Sequence, residues 1–251
     1  MEAIVDMEQG AVNHWAQQQV DRLRNRALAW LCPPRCRLCR APAPADWALC
    51  GPCASDLPWL RSACPVCAEP RGAATAGPCA RCLTRPPPFQ AARVALRYTA
   101  PVDRLILEFK HGGRLATGRL LAALLARHLA ETGGPVPDRV VPVPLHPTRL
   151  RQRGFNQAAE LAALLPYRAT ARIVRRIRPT PSQGGLDRAQ RRRNLRGAFA
   201  VTERLDGESV VVLDDVLTTG QTAGALAKAL TAAGAQRVEV WAVARAVMRG
   251  T

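Results

Sequence analysis

Two adjacent carboxylates, Asp214 and Asp215, follow four apolar β-forming residues, Val210 to Leu213, and precede a hydroxyl-rich turn, Thr218-Thr219-Gly220-Gln221-Thr222. A helical pattern from Thr222 to Ala233 comes next and is closed by Gly234. Strand, acids, turn and helix in that order have a chemical meaning. Backbone N–H groups at a helix start lack internal partners, and the helix dipole adds partial positive charge there, so such a turn suits a phosphate. Gly220 permits the backbone conformation and close approach that a phosphate cradle needs, and Thr218, Thr219 and Thr222 add hydroxyl donors. Acids at the carboxyl end of a strand lie where open α/β sheets place ligands. A phosphate turn beside two carboxylates suits a sugar phosphate, with sugar hydroxyls and Mg²⁺ at the acidic end. The competing reading is a buried strand, an Asp-Asp turn and a helix cap, which Thr or Asp favours with no ligand.

The second chemical signal is sulfur. Eight of the nine cysteines form four CxxC pairs: Cys36/Cys39, Cys50/Cys53, Cys64/Cys67 and Cys79/Cys82. Ten residues separate the first two pairs and eleven the last two. Four such pairs in succession point to two tetrahedral Cys₄ zinc sites of structural rather than catalytic type, since every ligand position is taken. Disulfides are the competing reading, and they belong to secreted chains. Sequential pairing of the CxxC units minimises loop length, while a cross-braced arrangement stays open. Cys32 is left over as a spare thiol. A stretch this rich in Pro and Gly has too few large apolar side chains for its own core, so metal supplies the missing stability.

Charge narrows the partners. The net charge is +17, with Lys110 and Lys228 the only lysines. Between Arg149 and Arg196 thirteen arginines stand against Glu160 and Asp187. That stripe attracts polyanions, whether pyrophosphate or nucleic acid. No run reaches the ~18–20 apolar residues of a membrane span. The early acids Glu2, Asp6 and Glu8 do not read as a signal peptide, so a cytoplasmic location is expected.

These groups need elements to hold them. Val12 to Leu31 reads as an amphipathic helix. Pro86-Pro87-Pro88 reads as a linker, so a helical or loose segment (1–31), a cysteine module (32–85) and a larger domain (89–251) are expected. In the larger domain, strands are expected at Ala92–Tyr98, Arg139–Pro144, Val210–Leu213 and Val238–Ala244. Helices are expected at Pro101–Lys110, Leu115–Ala130, Asn156–Leu165 and Thr222–Ala233, with short strands at Ile173–Val174 and Ala198–Val201. Alternating strands and helices make an α/β fold with a mostly parallel sheet. Two further segments suit anions: Arg149, Arg151 and Arg153 after the second strand, and the Pro-, Gly- and Arg-rich stretch from Arg178 to Phe199, which reads as a loop able to close as a lid.

The stretch VVVLDDVLTTGQT resembles the signature of type I phosphoribosyltransferases, which bind phosphoribosyl pyrophosphate (PRPP). Taken with the double cysteine module, LEFKHGGR, VVPVPLHPTRLRQRGFNQ and TPSQGGLDRAQRRRN, the chain resembles the ComF family, the GntX-like phosphoribosyltransferases, over about residues 30 to 247. The resemblance implies a type I phosphoribosyltransferase fold behind a double zinc ribbon, with two structural Zn²⁺ ions and Mg²⁺ entering with PRPP. It implies that Asp214 and Asp215 form the catalytic pair on the ribose hydroxyls and that Thr218, Thr219, Gly220, Gln221 and Thr222 hold the 5′-phosphate. Arg151 and Arg153 are then near pyrophosphate, and Arg188, Arg191, Arg192 and Arg193 sit on the lid. It further implies phosphoribosyl transfer to an acceptor that no residue here names, a link to natural competence, and single-stranded DNA and the competence helicase machinery as partners. The alternative it leaves is a non-catalytic, PRPP-responsive protein that binds single-stranded DNA.

Overall fold

The computed structural model describes residues 34–44, 47–72, 76–112, 115–178, 195 and 197–247. The expected helix at Val12–Leu31, the spare Cys32 and the lid arginines Arg188, Arg191, Arg192 and Arg193 lie outside these residues. The chain divides into two compact units, one ending at Asp56 and one starting at Leu57.

The described part of the first unit is a single cysteine ribbon. Its first CxxC lies in a tight turn: the Cys36 N–H donates to Ala41 O at 2.7 Å and the Arg40 N–H to Cys36 O at 2.9 Å. Arg40 takes the left-handed conformation, with φ of 68°. The second CxxC opens a short helix, α1 (Gly51–Ser55), with Cys50 at its N-cap.

The second unit begins with the same device. The Cys64 N–H donates to Glu69 O at 2.9 Å, the Ala68 N–H to Cys64 O at 2.8 Å, and Ala68 has φ of 53°. A short helix, α2 (Ala80–Thr84), opens at Cys79. Even the bridges flanking the turns match, Arg35 with Pro42 and Ala63 with Pro70. The second ribbon is joined to the sheet that follows. Trp59 bridges Leu96, the Leu60 N–H donates to Ala95 O at 2.9 Å, and the Arg97 N–H donates to Pro58 O at 2.8 Å.

That sheet is parallel. Its strands are β1 (Ala91–Arg97), β2 (Arg139–Pro142), β5 (Ser209–Leu217) and β6 (Arg237–Arg245), in the order β1-β6-β5-β2. Val212 sits between Val141 and Val240, which centres the register. A bridge from Val140 to Ala169 extends the β2 edge. The runs Val210–Leu213 and Val238–Ala244 are nearly all apolar because both faces are covered, the usual state of parallel strands.

Helices α3 (Val102–Gly112), α4 (Leu115–Thr132), α5 (Pro147–Arg153), α6 (Gln157–Leu164) and α7 (Gln221–Ala232) complete the layers. On one face Leu226, Ala227 and Leu230 of α7 pack with Val210, Val212, Val238 and Val240, and Leu60 and Ala68 of the second ribbon share that core. Alternation turns Val211, Leu213 and Trp241 to the opposite face, where α4 lies along β1 and β6 and α6 along β2 and β5. A two-stranded antiparallel piece, β3 (Val174–Arg176) with β4 (Phe199–Val201), frames the intervening Arg-rich segment.

The expected fold class, a mostly parallel sheet flanked by helices and preceded by cysteine ribbons, is the observed one. Two details differ. The segment Pro147–Arg153, for which no element is expected from the sequence, is a short helix: His146 caps it, its Nδ1 accepting from the Thr148 N–H at 3.3 Å, Pro147 sits at its first position, and Gly154 ends it with φ of 78°. The second is β5, which continues past Leu213 to Leu217, because β6 keeps pairing with it as far as Leu217–Arg245 while β2 stops opposite Leu213.

Candidate functional site

The overrun of β5 beyond β2 builds the site. Asp214 and Asp215 lie on a paired strand along β6 but past the end of β2, so the strand fixes their backbone while the β2 side stays open. Helices following β2 and β5 leave on opposite faces of the sheet, and a ligand crevice forms outside such a switch point. Adjacent residues of a strand project to opposite faces, and the two acids have different neighbours. Asp215 is buried and its Oδ2 lies 2.9 Å from Lys110 Nζ. Asp214 Oδ1 accepts the Asp215 N–H at 2.9 Å.

Asp214 is raised from the ordinary carboxylate range to about 7, first by burial and then by the charge of Asp215, with Lys110 opposing. Two carboxylates on neighbouring residues resist double ionisation where burial weakens their solvation. Arg176 on β3 adds a cation on the Asp214 side. Burial and then Arg149 lower its pKa, and Asp214 acts in the opposite direction.

Past the acids the chain turns into α7. Gly220 is its N-cap residue with φ of 74°, and no side chain of the cap satisfies the first N–H groups. A Cβ there would meet only ordinary contacts, at 3.8 Å from Phe89, so the left-handed backbone is what requires glycine. The competing reading of the sequence, a helix end capped by Thr, is met in part, because a threonine hydroxyl lies on the first helical N–H. The Gln221 N–H is 3.4 Å from Thr219 Oγ1, and Thr222 opens the helix behind it.

Lys110 was not assigned from sequence, although it is one of only two lysines. Its neighbour Phe109 is buried, stacks at 5.5 Å on Phe155, and fits against Gly118, where a Cβ would stand 2.6 Å from the ring. That anchor aims the end of α3 at Asp215. Arg176 carried no sequence signal in so arginine-rich a chain. Of the arginines expected at pyrophosphate, Arg151 is exposed on α5, and Arg153 donates to Gln157 Oε1 at 3.1 Å.

The sulfur clusters pair sequentially: Cys36, Cys39, Cys50 and Cys53 in one, and Cys64, Cys67, Cys79 and Cys82 in the other, with all four Sγ atoms of each within 4.8 Å. Cys39 and Cys50 are 3.5 Å apart and Cys67 and Cys79 3.7 Å, against about 3.8 Å for the tetrahedral edge of a zinc–thiolate site with bonds of ~2.3 Å. The thiols also show strain that a cation relieves. Burial works against ionisation of Cys36, yet N–H groups of Cys39, Cys50 and Leu38 lower it to about 6, while the sulfurs of Cys39 and Cys50 push Cys53 up. Burial likewise opposes ionisation of Cys64, but N–H groups of Cys79, Cys67 and Val66 bring it to about 7, while burial and then the neighbouring sulfurs push Cys82 up. Four thiolates cannot coexist in either cluster without a positive centre, and the donor set fits Zn²⁺.

Comparison with known proteins agrees. The family model of the double zinc ribbon domain matches residues 27–83. The DNA utilization protein YhgH of Salmonella typhi is 37% identical over 222 residues, covering 85% of this chain and 97% of that protein. Competence protein F of Haemophilus influenzae is 30% identical over 208 residues, covering 78% and 84%. Among solved structures, a purine phosphoribosyltransferase from Pyrococcus horikoshii is 16% identical over 51% of this chain and 82% of that one, with a TM-score of 0.28, a likeness too distant to speak for substrate. With two Cys₄ ribbons, a parallel sheet and relatives aligned over most of their length, this chain belongs to the ComF-like family.

Proposed function

We propose that the crevice beyond β5 binds PRPP and transfers its phosphoribosyl group to a nitrogen acceptor. The observation that carries this reading is the placement of Asp214 and Asp215 on a strand that runs straight into a hydroxyl-rich, glycine-led helix start. In this reading Asp214 and Asp215 accept the ribose hydroxyls, and the N–H groups and hydroxyls of Thr218, Thr219, Gly220, Gln221 and Thr222 hold the 5′-phosphate. The acceptor nitrogen forms its bond to ribose C1, the C1–O bond to pyrophosphate breaks, and the proton lost by the nitrogen leaves to solvent or to the departing pyrophosphate. Arg149, Arg151, Arg153 and Arg176 are the cations available to that leaving group, with Arg188, Arg191, Arg192 and Arg193 supplied by the lid segment.

Mg²⁺ would neutralise pyrophosphate charge. Among the described residues no third acidic or histidine side chain joins Asp214 and Asp215 in a metal-ligating group, which suits an ion held chiefly by the ligand's own oxygens. The protein then contributes orientation and a fixed electrostatic field rather than a metal cage.

The names of the relatives add a biological setting: DNA utilization and competence. The net charge of +17 and the arginine run from Arg149 to Arg196 favour contact with single-stranded nucleic acid. A second reading follows, in which PRPP binding regulates a DNA-binding accessory of the competence helicase machinery and no transfer occurs. Titration calorimetry with PRPP and Mg²⁺ tests the shared part. Binding that disappears in Asp214→Asn with Asp215→Asn supports it, and unchanged affinity in that pair of substitutions sinks it. Pyrophosphate release over a panel of nucleobases and amines then separates transferase from sensor.

A further inference from the structure

Arg245, the last residue of β6, is 1% exposed, and its guanidinium is shared between two places far apart in sequence. On one side Nε donates to Cys67 O at 3.2 Å and Nη2 meets Glu69 Oε2 at 2.5 Å. Cys67 is a ligand position of the second ribbon, and the Glu69 carbonyl closes that ribbon's knuckle by accepting from Cys64 N–H. On the other side Nη1 donates to Leu217 O at 2.9 Å, to Thr218 O, and to Ala246 O at 2.6 Å. Leu217 and Thr218 are the entry to the phosphate turn. Arginine is the side chain able to bind both at once, because its planar fork carries five donors in fixed directions. Burial makes the arrangement strict, since a buried cation tolerates the loss of few of its acceptors.

We infer that Arg245 is a positioning residue that couples the second zinc ribbon to the phosphate turn, so that zinc at Cys64, Cys67, Cys79 and Cys82 sets the order of Leu217–Thr222. The chain of contacts is short. Zinc orders the Cys64–Glu69 knuckle; the knuckle presents the Cys67 carbonyl and the Glu69 carboxylate; these hold the guanidinium; the guanidinium holds the carbonyls of Leu217 and Thr218. Leu60 and Ala68 lie in the same core as α7, so ribbon and helix also share packing. Coupling of this kind is reciprocal: a ligand that orders the turn must tighten zinc binding by the factor by which zinc tightens the ligand. The proposal rests on the reading of Thr218–Thr222 as a phosphate turn for its ligand arm, and on the described contacts alone for its dynamic arm.

Both arms use the full chain loaded with two zinc ions. In the first, zinc release to a chromogenic chelator is followed with and without saturating ribose 5-phosphate. The probe slows release of one zinc by about fivefold or more in the wild type, and Glu69→Gln, which weakens the hold on Arg245 without touching a thiolate or the turn, removes the slowing while still binding the probe. Probe binding with unchanged zinc release overturns the coupling and leaves the donor-site reading standing. Absence of any probe binding overturns the donor-site reading, and the second arm then decides the coupling. Hydrogen exchange of peptides covering Leu217–Thr222 is compared at full zinc occupancy: exchange several-fold faster in Glu69→Gln, and faster still in Arg245→Lys, supports it, whereas exchange equal to wild type in Glu69→Gln overturns it.

Discussion

The ammonium of Lys110 stands 2.9 Å from Asp215, linking the C-terminal end of α3 to the strand that carries both acids. Both partners are largely enclosed, with side-chain exposures of 20% and 9%. Lysine thus partly neutralises a two-carboxylate site before any ligand arrives. Removing it leaves two crowded acids with less compensation. Lys110→Met should lower stability by about 1–3 kcal/mol, read as a shifted denaturant midpoint at pH 8. Neutralising Asp215 in the same chain should restore part of the loss, and a midpoint unmoved by Lys110→Met would show that the pair contributes nothing.

Asp214 predicts a pH dependence. Its pKa in the fold, about 7, is above its ordinary carboxylate value. The folded chain therefore binds this proton more tightly than the unfolded chain, and the associated stability is full below about pH 4 and is lost as pH rises toward 7. Asp214→Asn removes the ionisation. Its melting temperature should match wild type near pH 4 and exceed it above pH 7 by about 2–4 °C, the shift that ~1 kcal/mol produces in a chain of this size. Equal melting curves at pH 8 would count against the burial of this charge.

Ligand binding should follow the same proton with the opposite preference. A carboxylate accepts a sugar hydroxyl, and a carboxylic acid accepts it less well. Affinity for ribose 5-phosphate, measured by calorimetry, should rise more between pH 6 and pH 8 in the wild type than in Asp214→Asn, where the ligand's own phosphate, with a second pKa of about 6, still titrates.

Gly220 holds φ of 74° at the start of α7. Gly220→Ala forces an L-residue into that region at a cost of about 1–2 kcal/mol, and any relaxation moves the N–H groups that follow. A drop of a few degrees in melting temperature with at least tenfold weaker ribose 5-phosphate binding is expected. Loss of stability without loss of affinity would separate the turn from the ligand.

Salt dependence tests contact with single-stranded DNA. Each phosphate neutralised adds about 0.7 to the slope of log K against log salt. Replacing Arg191, Arg192 and Arg193 together should flatten the slope by about 2 if all three meet phosphates, and an unchanged slope would move the interface elsewhere.

Much of this architecture was legible in the residues. The apolar runs at Val210–Leu213 and Val238–Ala244 announced a buried parallel sheet, and Asn156 announced a helix start, where its Oδ1 indeed accepts from the Ala158 and Ala159 N–H groups. The cysteine spacing predicted the two clusters, and three-dimensional placement settled their sequential pairing. What escaped was whatever depended on a distant partner. Pro144 and Pro147 disguised α5, because a proline at a helix start reads like a loop until the cap at His146 is seen. Nothing in the residues around Lys110 ties it to a partner 105 positions later. Arg245 stands one residue past the expected strand Val238–Ala244, where no local rule announces five acceptors gathered from three segments of chain.

The two ribbons repeat one another turn for turn, yet the break between compact units falls after Asp56, between them. Two like ribbons thereby carry unequal obligations. The later copy contributes Leu60 and Ala68 to the interior of the sheet domain, so it cannot be exchanged or trimmed without rebuilding that interior. A piece cut at Pro88 would lose part of its own core, whereas one starting at Leu57 would keep it. The sheet domain thus carries one ribbon as an organ of its own body, and divergence in sequence should be slower around Cys64–Cys82 than around Cys36–Cys53.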